Sequence, residues 1–249
     1  MTMLEEMSEV CACLGKARRL VVFTGAGVSA ESGVPTFRGP QGIWRTFRAE
    51  DLATREAFER DPQFVWEWYV WRQQRIAACE PNAGHLAIRR MEENWPSVIL
   101  ITQNIDGLHQ RAGSRCVLEL HGQIWKARCV REDTVQDFPA AAILPPHCAC
   151  GSLLRPHVVW FGEALDRNVV GLAGEATRCC DVFLSVGTSA RVSPANQLIM
   201  LAVHNGATVI EINPEPTPVS LLVKFSLRGP AGELLPQLVE GALAARGAA

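Results

Sequence analysis

A glycine-rich segment near the start of the chain has the residue types and spacing of a phosphate-binding loop. Gly25, Gly27 and Ala30 form a G-x-G-x-x-A pattern directly after the apolar run 20–23, which is typical of a buried parallel strand. The glycines permit a tight turn and a close main-chain approach, so the next amides point at whatever lies beyond the strand. The pattern predicts a pyrophosphate cradle, although alone it fits an ordinary strand-to-helix turn equally well.

The residues after this loop depart from a plain dinucleotide-binding fold. Such a fold places an acidic residue at the end of a second strand, ~20 positions later, to bind a ribose. Glu50 and Asp51 lie near that distance, but residues 42–48 before them have no strand pattern. We therefore expect the ribose contact elsewhere. Phe37 and Arg38 place an aromatic face beside a guanidinium, which suits a ring and a phosphate.

Apolar runs that end in small or polar residues recur along the chain. They lie at 98–101, 117–120, 182–186 and 208–212. Helical spacing occupies 83–93, 169–179 and 194–205 between them. This alternation predicts an α/β protein with a Rossmann-like parallel sheet and helices on both faces. Ligands of such sheets bind outside the carboxyl ends of the strands, so the polar residues that follow the runs should share one edge.

Two stretches interrupt this alternation and predict a second, small domain. Residues 41–84 are helical in pattern, with an N-cap and a proline start at Asp61 and Pro62. Residues 126–155 have little periodicity and contain a group of cysteines, which suggests a zinc-type module. The predicted Rossmann-like domain comprises 1–40, 85–125 and 156–249, and the small domain comprises 41–84 and 126–155.

Composition argues against several classes of partner. The 249 residues carry a formal net charge of −2, and the pI near 6.3 predicts no nucleic-acid or anionic-membrane surface. No apolar run reaches membrane-spanning length, and the acidic start lacks signal-peptide features. We therefore expect a cytoplasmic protein. Its nine cysteines are then expected to be reduced, and either metal-bound or buried.

Six motifs occur in a fixed order along the chain. They are residues 25–38, Thr-Gln-Asn-Ile-Asp at 102–106, Leu-His-Gly at 120–122, residues 154–163, Gly-Thr-Ser at 187–189 and Ile-Asn-Pro at 212–214. From about residue 20 to 232 they resemble the sirtuins, which are NAD-dependent protein lysine deacylases. The resemblance implies NAD as cofactor and acyl-lysine proteins or peptides as substrates, meeting in a cleft between the two domains. The implied products are nicotinamide and 2'-O-acyl-ADP-ribose.

The same resemblance assigns roles to individual residues. His121 would be the general base, since a neutral imidazole can take a ribose hydroxyl proton, and Asn104 would position ribose and water. His85 and His109 are expected to have structural or packing roles. The residues implied to bind NAD are Gly25, Ala26, Gly27, Ser29, Ala30, Glu31, Thr36, Phe37, Arg38, Gln103, Asn104, Ile105, Asp106, Gly187, Thr188, Ser189, Asn213 and Ala231.

Two segments are candidates for substrate binding. The extended stretch 154–163 offers a backbone for pairing with a peptide, and its candidate contacts are Val159, Phe161, Gly162 and Glu163. Tyr69 and Arg72 stand at i and i+3 of the helix that begins at Pro62, so they share a face. The pair matches the Y-x-x-R of sirtuins that remove succinyl and malonyl groups. Arg72 would pair with the acyl carboxylate and Tyr69 would donate a hydroxyl. In the alternative arrangement, Tyr69 packs among tryptophans and Arg72 faces solvent.

The cysteine module departs from the two C-x-x-C pairs that usually hold zinc in sirtuins. Cys129 is followed three residues later by Glu132, and the second pair is shortened to Cys148 and Cys150, preceded by His147. Two outcomes stay open. Either the three cysteines bind a structural zinc with His147 or Glu132 as fourth ligand, or the site is lost and packing holds the module.

Three rival functions remain to be separated. A hydride-transferring dehydrogenase shares the glycine pattern but lacks the expected acidic residue. A non-catalytic reader of ADP-ribose or acylated peptide would need neither His121 nor Asn104. A general deacetylase would share the chemistry without preferring acidic acyl groups. The sequence does not fix the oligomeric state, and a monomer is compatible with it.

Overall fold

The computed structural model describes residues 3–36, 48–138 and 143–247. Within these residues the strands are β1 (Arg19–Thr24), β2 (Ser97–Thr102), β3 (Val117–Glu119), β4 (Gly122–Cys129), β5 (Val135–Asp137), β6 (Leu154–Val158), β7 (Val182–Val186), β8 (Thr208–Ile212) and β9 (Phe225–Leu227). The helices are α1 (Met3–Lys16), α2 (Ala49–Leu52), α3 (Arg55–Arg60), α4 (Pro62–Ala77), α5 (Ala83–Asn94), α6 (Leu108–Arg111), α7 (Arg167–Cys179), α8 (Gln197–His204) and α9 (Ala231–Gly247), and a 3₁₀ helix spans Ala26–Ser32. None of the described helices is both long enough and apolar enough to cross a bilayer.

Six strands form a parallel sheet in the order β3-β2-β1-β7-β8-β9. The central strand β1 pairs with β2 on one side and with β7 on the other. Chain order reverses between β1 and β7, so their carboxyl ends flank the topological switch point where such sheets bind ligands. The predicted α/β fold with a Rossmann-like parallel sheet is confirmed.

Helices cover both faces of this sheet, as the continuous apolar character of β1 requires. Leu20 and Val22 point to the side where α1, α5 and α9 pack, and Val22 is fully buried there with Leu14. Val21 and Phe23 point to the opposite side, where Phe23 lies in the cluster formed with α7 and α8. Because side chains alternate along a strand, burial on both faces leaves no place for a polar residue in this run.

A second, smaller core lies beside the main sheet. Its antiparallel sheet has the order β5-β4-β6 and packs against α2, α3 and α4. Trp66 of α4 is buried in this core, and its indole Nε1 donates a hydrogen bond to the Leu154 carbonyl of β6 at 2.8 Å. Strand β4 runs through the predicted boundary at 125/126 and β6 through that at 155/156. The division into residue ranges therefore stays a prediction.

Helix α4 begins where the sequence predicts because its start signal is local. The Asp61 side chain accepts a hydrogen bond from the Phe64 amide at 3.0 Å, and Pro62 is the first helical residue. This start sets the helical phase that turns Tyr69 and Arg72 toward the interior, where both are buried. The arrangement with Arg72 in solvent is therefore wrong.

Candidate active site

Main-chain atoms touch where the chain leaves β1 and β7 at the switch point. The Gly27 amide donates to the Gly187 carbonyl at 2.8 Å, and the Gly25 amide donates to the Val186 carbonyl at 3.0 Å. A Cβ on Gly27 would lie 2.7 Å from the Gly187 oxygen, and a Cβ on Gly187 would lie 2.4 Å from the Val28 nitrogen. Gly187 also has a φ of +58°. The glycines are therefore required by backbone proximity, and they leave the strand ends open to a pyrophosphate.

A cavity of about 340 Å³ opens directly beyond these glycines. The predicted NAD residues that line it are Gly25, Ala26, Gly27, Thr36, Gln103, Asn104, Ile105, Gly187, Thr188, Ser189 and Asn213, together with the candidate base His121. The predicted substrate residues Tyr69, Arg72, Val159, Phe161, Gly162 and Glu163 line the same cavity. The structure thus brings both predicted groups to one space, although their members come from distant parts of the chain, from Gly25 to Asn213. The glycine cradle at one end fits a dinucleotide.

Seven predicted NAD residues remain to be accounted for. Phe37 and Arg38 fall outside the described residues. Ser29, Ala30, Glu31, Asp106 and Ala231 are described but are not among the residues that line this cavity. Glu31 instead accepts a hydrogen bond from the Gly232 amide at 2.7 Å, beside Ala231 at the start of α9.

Ser29 and Asp106 form a buried polar layer with Asn104. The Ser29 hydroxyl donates to the Asp106 carboxylate at 2.8 Å, and the Asn104 side-chain amide donates to the Ser29 oxygen at 3.2 Å. Burial raises the pKa of Asp106, against the opposing effect of its hydrogen bond from Leu108. This layer fixes the side-chain amide of Asn104, which is the member that reaches the cavity.

Two histidines lie fully buried next to this layer. His85 Nε2 lies 3.4 Å from the Ser29 hydroxyl, and His109 Nε2 lies 3.0 Å from the Thr24 hydroxyl. Their ring centroids are 4.8 Å apart. Burial lowers the pKa of His85 to about 4, and burial also holds the pKa of His109 well below its usual value. Both rings are therefore neutral at neutral pH. The connection of His109 to Thr24 has no signal in the sequence, because it joins residues of different elements.

His121 has the hydrogen-bonding arrangement of a general base. Its Nδ1 lies 2.9 Å from the Gln103 carbonyl oxygen. Because a carbonyl only accepts, Nδ1 carries the proton, and in the neutral ring the Nε2 lone pair is left to accept another proton. Burial lowers the pKa of His121, while the hydrogen bond to Gln103 opposes this shift. The imidazole is thus predominantly neutral at neutral pH.

Tyr69 and Arg72 form part of the cavity wall contributed by α4. Tyr69 is 2% exposed and Arg72 is 5% exposed. Burial lowers the pKa of Arg72 to about 10, so the guanidinium still carries its charge at neutral pH. Trp160, which the sequence analysis did not single out, donates its indole Nε1 hydrogen to the Tyr69 hydroxyl oxygen at 2.9 Å. The wall therefore presents a buried cation beside an oriented phenol.

The stretch predicted to pair with a peptide is partly used within the protein. Strand β6 pairs with β4 along one side. The Val159 amide donates to the His121 carbonyl, the Phe161 amide to the Ala53 carbonyl, and the Trp160 amide to Glu163. A peptide laid along this stretch would therefore rely on other main-chain groups, including the carbonyls.

The cysteine module brings four potential metal ligands together. The ligand atoms of Cys129, Glu132, Cys148 and Cys150 all lie within 4.8 Å of one another. Thiolates and a carboxylate are ligand types that zinc accepts, and four ligands complete its tetrahedron, so this donor set fits zinc. His147 is exposed and is not in this group of described residues. Of the two candidates for a fourth ligand, the geometry brings Glu132 to the cysteines.

Comparison with known proteins finds relatives that match nearly the whole chain. The model of the Sir2 family matches residues 25–194. A protein from Pyrobaculum aerophilum named NAD-dependent protein deacylase 2 is 53% identical over 230 residues, which cover 91% of this chain and 92% of that protein. A solved complex of a Sir2 homolog with NAD has a TM-score of 0.90 and 44% identity, covering 96% of this chain and 94% of that one. A Sir2 protein bound to a myristoylated histone peptide has a TM-score of 0.80 and 36% identity, covering 99% of this chain and 100% of that one. The chain with the glycine cradle and the Tyr69–Arg72 wall therefore belongs to the Sir2 family.

Proposed function

We propose that this NAD-dependent protein deacylase acts on acyl-lysine peptides and prefers acyl groups that end in a carboxylate, such as succinyl and malonyl. The observation that carries the proposal is the position of Arg72, a buried and charged side chain in the wall of the cavity. The methyl terminus of an acetyl group offers nothing that this charge can recognise, whereas a dicarboxylic acyl chain ends in a carboxylate that can pair with it.

The physical argument concerns the cost of burying charge. An isolated carboxylate is strongly disfavoured in an apolar cavity, and pairing with a hydrogen-bonding cation offsets much of that cost. The guanidinium of Arg72 provides a planar set of donors that matches a carboxylate. Tyr69 lies three residues earlier on α4 and lines the same cavity, so its hydroxyl can add a donor. Both groups favour an anionic acyl terminus over a methyl group.

In the proposed reaction, the residues of the cavity hold the reactants and manage one proton. Bound NAD would supply the ribose carbon that forms a bond to the acyl oxygen as its bond to nicotinamide breaks. The glycine cradle holds the pyrophosphate, and Asn104 positions the ribose. His121 Nε2 accepts a ribose hydroxyl proton, supported by the hydrogen bond that places the ring proton on Nδ1. One water is consumed when the bond between the acyl carbon and the lysine nitrogen breaks, and the products are nicotinamide, the deacylated lysine and 2'-O-acyl-ADP-ribose.

The test compares one peptide sequence carrying succinyl-, malonyl- or acetyl-lysine. We expect Arg72→Met to lower kcat/KM for the two acidic substrates by about ten- to hundredfold, because hydrogen bonds to a charged group are worth ~1.5–3 kcal/mol. Tyr69→Phe should have a smaller effect in the same direction. Acetyl-lysine turnover should fall much less in both variants, because its methyl group accepts no hydrogen bond.

Arg75→Met provides a matched control on the same helix. The Arg75 guanidinium lies 4.7 Å from the Trp71 ring and does not line the cavity. This variant should leave all three activities close to wild type. If Arg72→Met lowers all three activities alike, or if wild type does not prefer acidic acyl groups, the protein is a general deacetylase.

A further inference from the structure

Trp160 lies in the wall between two cavities. One is the cavity of about 340 Å³ that contains Tyr69 and Arg72, and the other is a neighbouring cavity of about 730 Å³ beyond β6. Trp160 is 3% exposed and is supplied by the stretch after β6, 91 residues away from Tyr69 in sequence. Its indole N–H nevertheless meets the Tyr69 hydroxyl oxygen at 2.9 Å.

The direction of this hydrogen bond is fixed by chemistry. An indole N–H only donates, so the Tyr69 oxygen must be the acceptor. The phenolic hydrogen lies near the plane of its ring, and a donor that occupies one in-plane position of the oxygen leaves the other for that hydrogen. Tyr69 is thereby held ready to donate its own hydrogen to a further acceptor. Among the described residues, Trp160 is the hydrogen-bond partner of this hydroxyl.

The indole is held firmly enough to impose this orientation. The guanidinium carbon of Arg155 lies 3.5 Å from the centre of the Trp160 ring. Arg155 forms a two-point ion pair with Glu163, whose carboxylate also accepts the Trp160 amide hydrogen at 2.8 Å. The Phe58 ring packs 5.4 Å from the indole. Rotation of the Trp160 side chain would break the stacking on Arg155 and leave the indole N–H without its acceptor.

We propose that Trp160 is a positioning residue that sets acyl specificity by orienting the Tyr69 hydroxyl toward the acyl carboxylate. This inference rests on the proposed preference for acidic acyl groups and names a residue through which that preference acts. Trp160 takes no part in the chemical step. Its effect is confined to substrates whose acyl group can accept the Tyr69 hydrogen.

The kinetic test is a double-mutant cycle with Trp160→Phe and Tyr69→Phe. Trp160→Phe removes the N–H and keeps an aromatic ring, so it should lower kcat/KM for succinyl-lysine by about three- to tenfold and change acetyl-lysine turnover little. In the Tyr69→Phe background the same substitution should have no further effect on the succinyl-to-acetyl ratio, because the hydroxyl it orients is gone. Independent, multiplying effects would overturn the inference.

A spectroscopic measurement reports on the hydroxyl without relying on turnover. Tyr69 is the only tyrosine in the chain, so labelling tyrosine with ¹³C at Cζ gives one resonance from this residue. In wild type that resonance should move when succinyl-lysine peptide binds in the absence of NAD, and move less with acetyl-lysine peptide. Trp160→Phe should change the starting position and reduce the response to succinyl-lysine. A resonance that is the same in wild type and Trp160→Phe would overturn the proposed orientation.

The outcomes separate this inference from the proposed function. If wild type prefers succinyl-lysine and Trp160→Phe keeps the full preference, the role of Trp160 is wrong and the acyl preference stands. If wild type lacks the preference, both are wrong. The melting temperature and acetyl-lysine activity of Trp160→Phe show whether the variant is folded. Should it fail to fold, the Tyr69 resonance of wild type must still respond more to succinyl- than to acetyl-lysine, and an equal response overturns the inference.

Discussion

The two ends of the cavity are built in different ways. At the glycine cradle, Gly27 and Gly187 bring together the main chain of the segments that follow β1 and β7, and the site is defined by the space that a Cβ would fill. At the acyl wall, Tyr69, Arg72 and Trp160 define the site through side-chain hydrogen bonds and a buried charge. Steric exclusion allows almost no substitution, whereas a hydrogen-bonded wall can be altered without closing the site. We therefore expect changes at the cradle to remove cofactor binding and changes at the wall to alter which acyl group is accepted.

His121 lies in the cavity that joins these regions and tests whether they act as one site. His121→Ala should lower kcat for every acyl substrate by roughly 10²–10⁴-fold, the range for losing a general base, while ADP-ribose still binds. Steady-state kinetics with succinyl- and acetyl-lysine peptides, and ADP-ribose titration, measure these effects. His204→Ala, at an exposed histidine on α8, is the control and should retain activity. Substantial deacylation by His121→Ala would remove this residue from the mechanism.

Gly187→Ala tests the cradle directly. The added Cβ would meet the Val28 nitrogen at 2.4 Å in a left-handed backbone conformation. We expect a cost of ~3 kcal/mol, seen as an increase of about hundredfold in the Kd for ADP-ribose or as a matching loss of stability. Gly171→Ala, in α7 with open space around its Cβ, should bind normally and be slightly more stable. Normal binding and stability of Gly187→Ala would contradict the steric account.

Removal of zinc should affect the acyl wall more than the cradle. Cys129 and Cys148 share one core with Tyr69 and Trp160, whereas the central strands of the parallel sheet pack in two other cores. We expect about one zinc per chain, and we expect Cys129→Ser to lose the metal, lower the melting temperature and weaken desuccinylation several-fold. ADP-ribose binding should change less. Cys116→Ser is the control, because Cys116 is exposed; the expectation that each cysteine is metal-bound or buried is wrong for Cys116 and Cys179. A metal-free wild-type protein with full activity would show that packing alone holds the module.

The pH should change stability through the buried histidines and leave acyl preference nearly constant. Burial lowers the pKa of His85 to about 4, so between pH 6.5 and 4 the unfolded chain binds more protons than the folded one. The contribution of His85 to the free energy of unfolding is therefore fully present above pH 6.5 and is lost as the pH falls. At pH 5 the loss is about 2 kcal/mol. Arg72, with a pKa of about 10, remains charged throughout.

Melting temperatures between pH 8 and 5 measure this effect. His85→Gln should reduce the slope, although His109 also contributes to it, and His204→Gln should not. A wild-type protein that becomes more stable as the pH falls through this range would contradict the burial of neutral histidines.

The contrast between the glycine cradle and the acyl wall also explains which features the sequence could predict. Five of the six strands of the parallel sheet and the start of α4 follow from runs and caps within a few residues, and the glycine spacing marks the cradle. The short edge strand β9 was missed. The β4–β6 sheet was missed because its pairing joins distant segments, and β5 is exposed along its whole length. Helix α9 was also missed, and it contains Pro236, ordinarily a helix breaker.

Side-chain partners were the least predictable part of the site. The contact between Trp160 and Tyr69 depends on how two segments 91 residues apart are oriented. The choice of Glu132 over His147 likewise depends on the course of the main chain around the cysteines, because both residues were possible ligands by spacing. Periodicity identifies which face of an element is buried, but it does not identify which atoms meet there.

The central claim is that the acyl wall recognises a carboxylate, and an internal competition tests it most directly. Wild-type protein is incubated with NAD and equal concentrations of one peptide carrying succinyl-lysine or acetyl-lysine, and mass spectrometry follows the loss of each substrate. The ratio of the two first-order rates equals the ratio of the kcat/KM values. We predict that the succinyl peptide disappears at least about ten times faster, as one hydrogen bond to a charged group requires. Equal rates, or faster loss of the acetyl peptide, would contradict the claim.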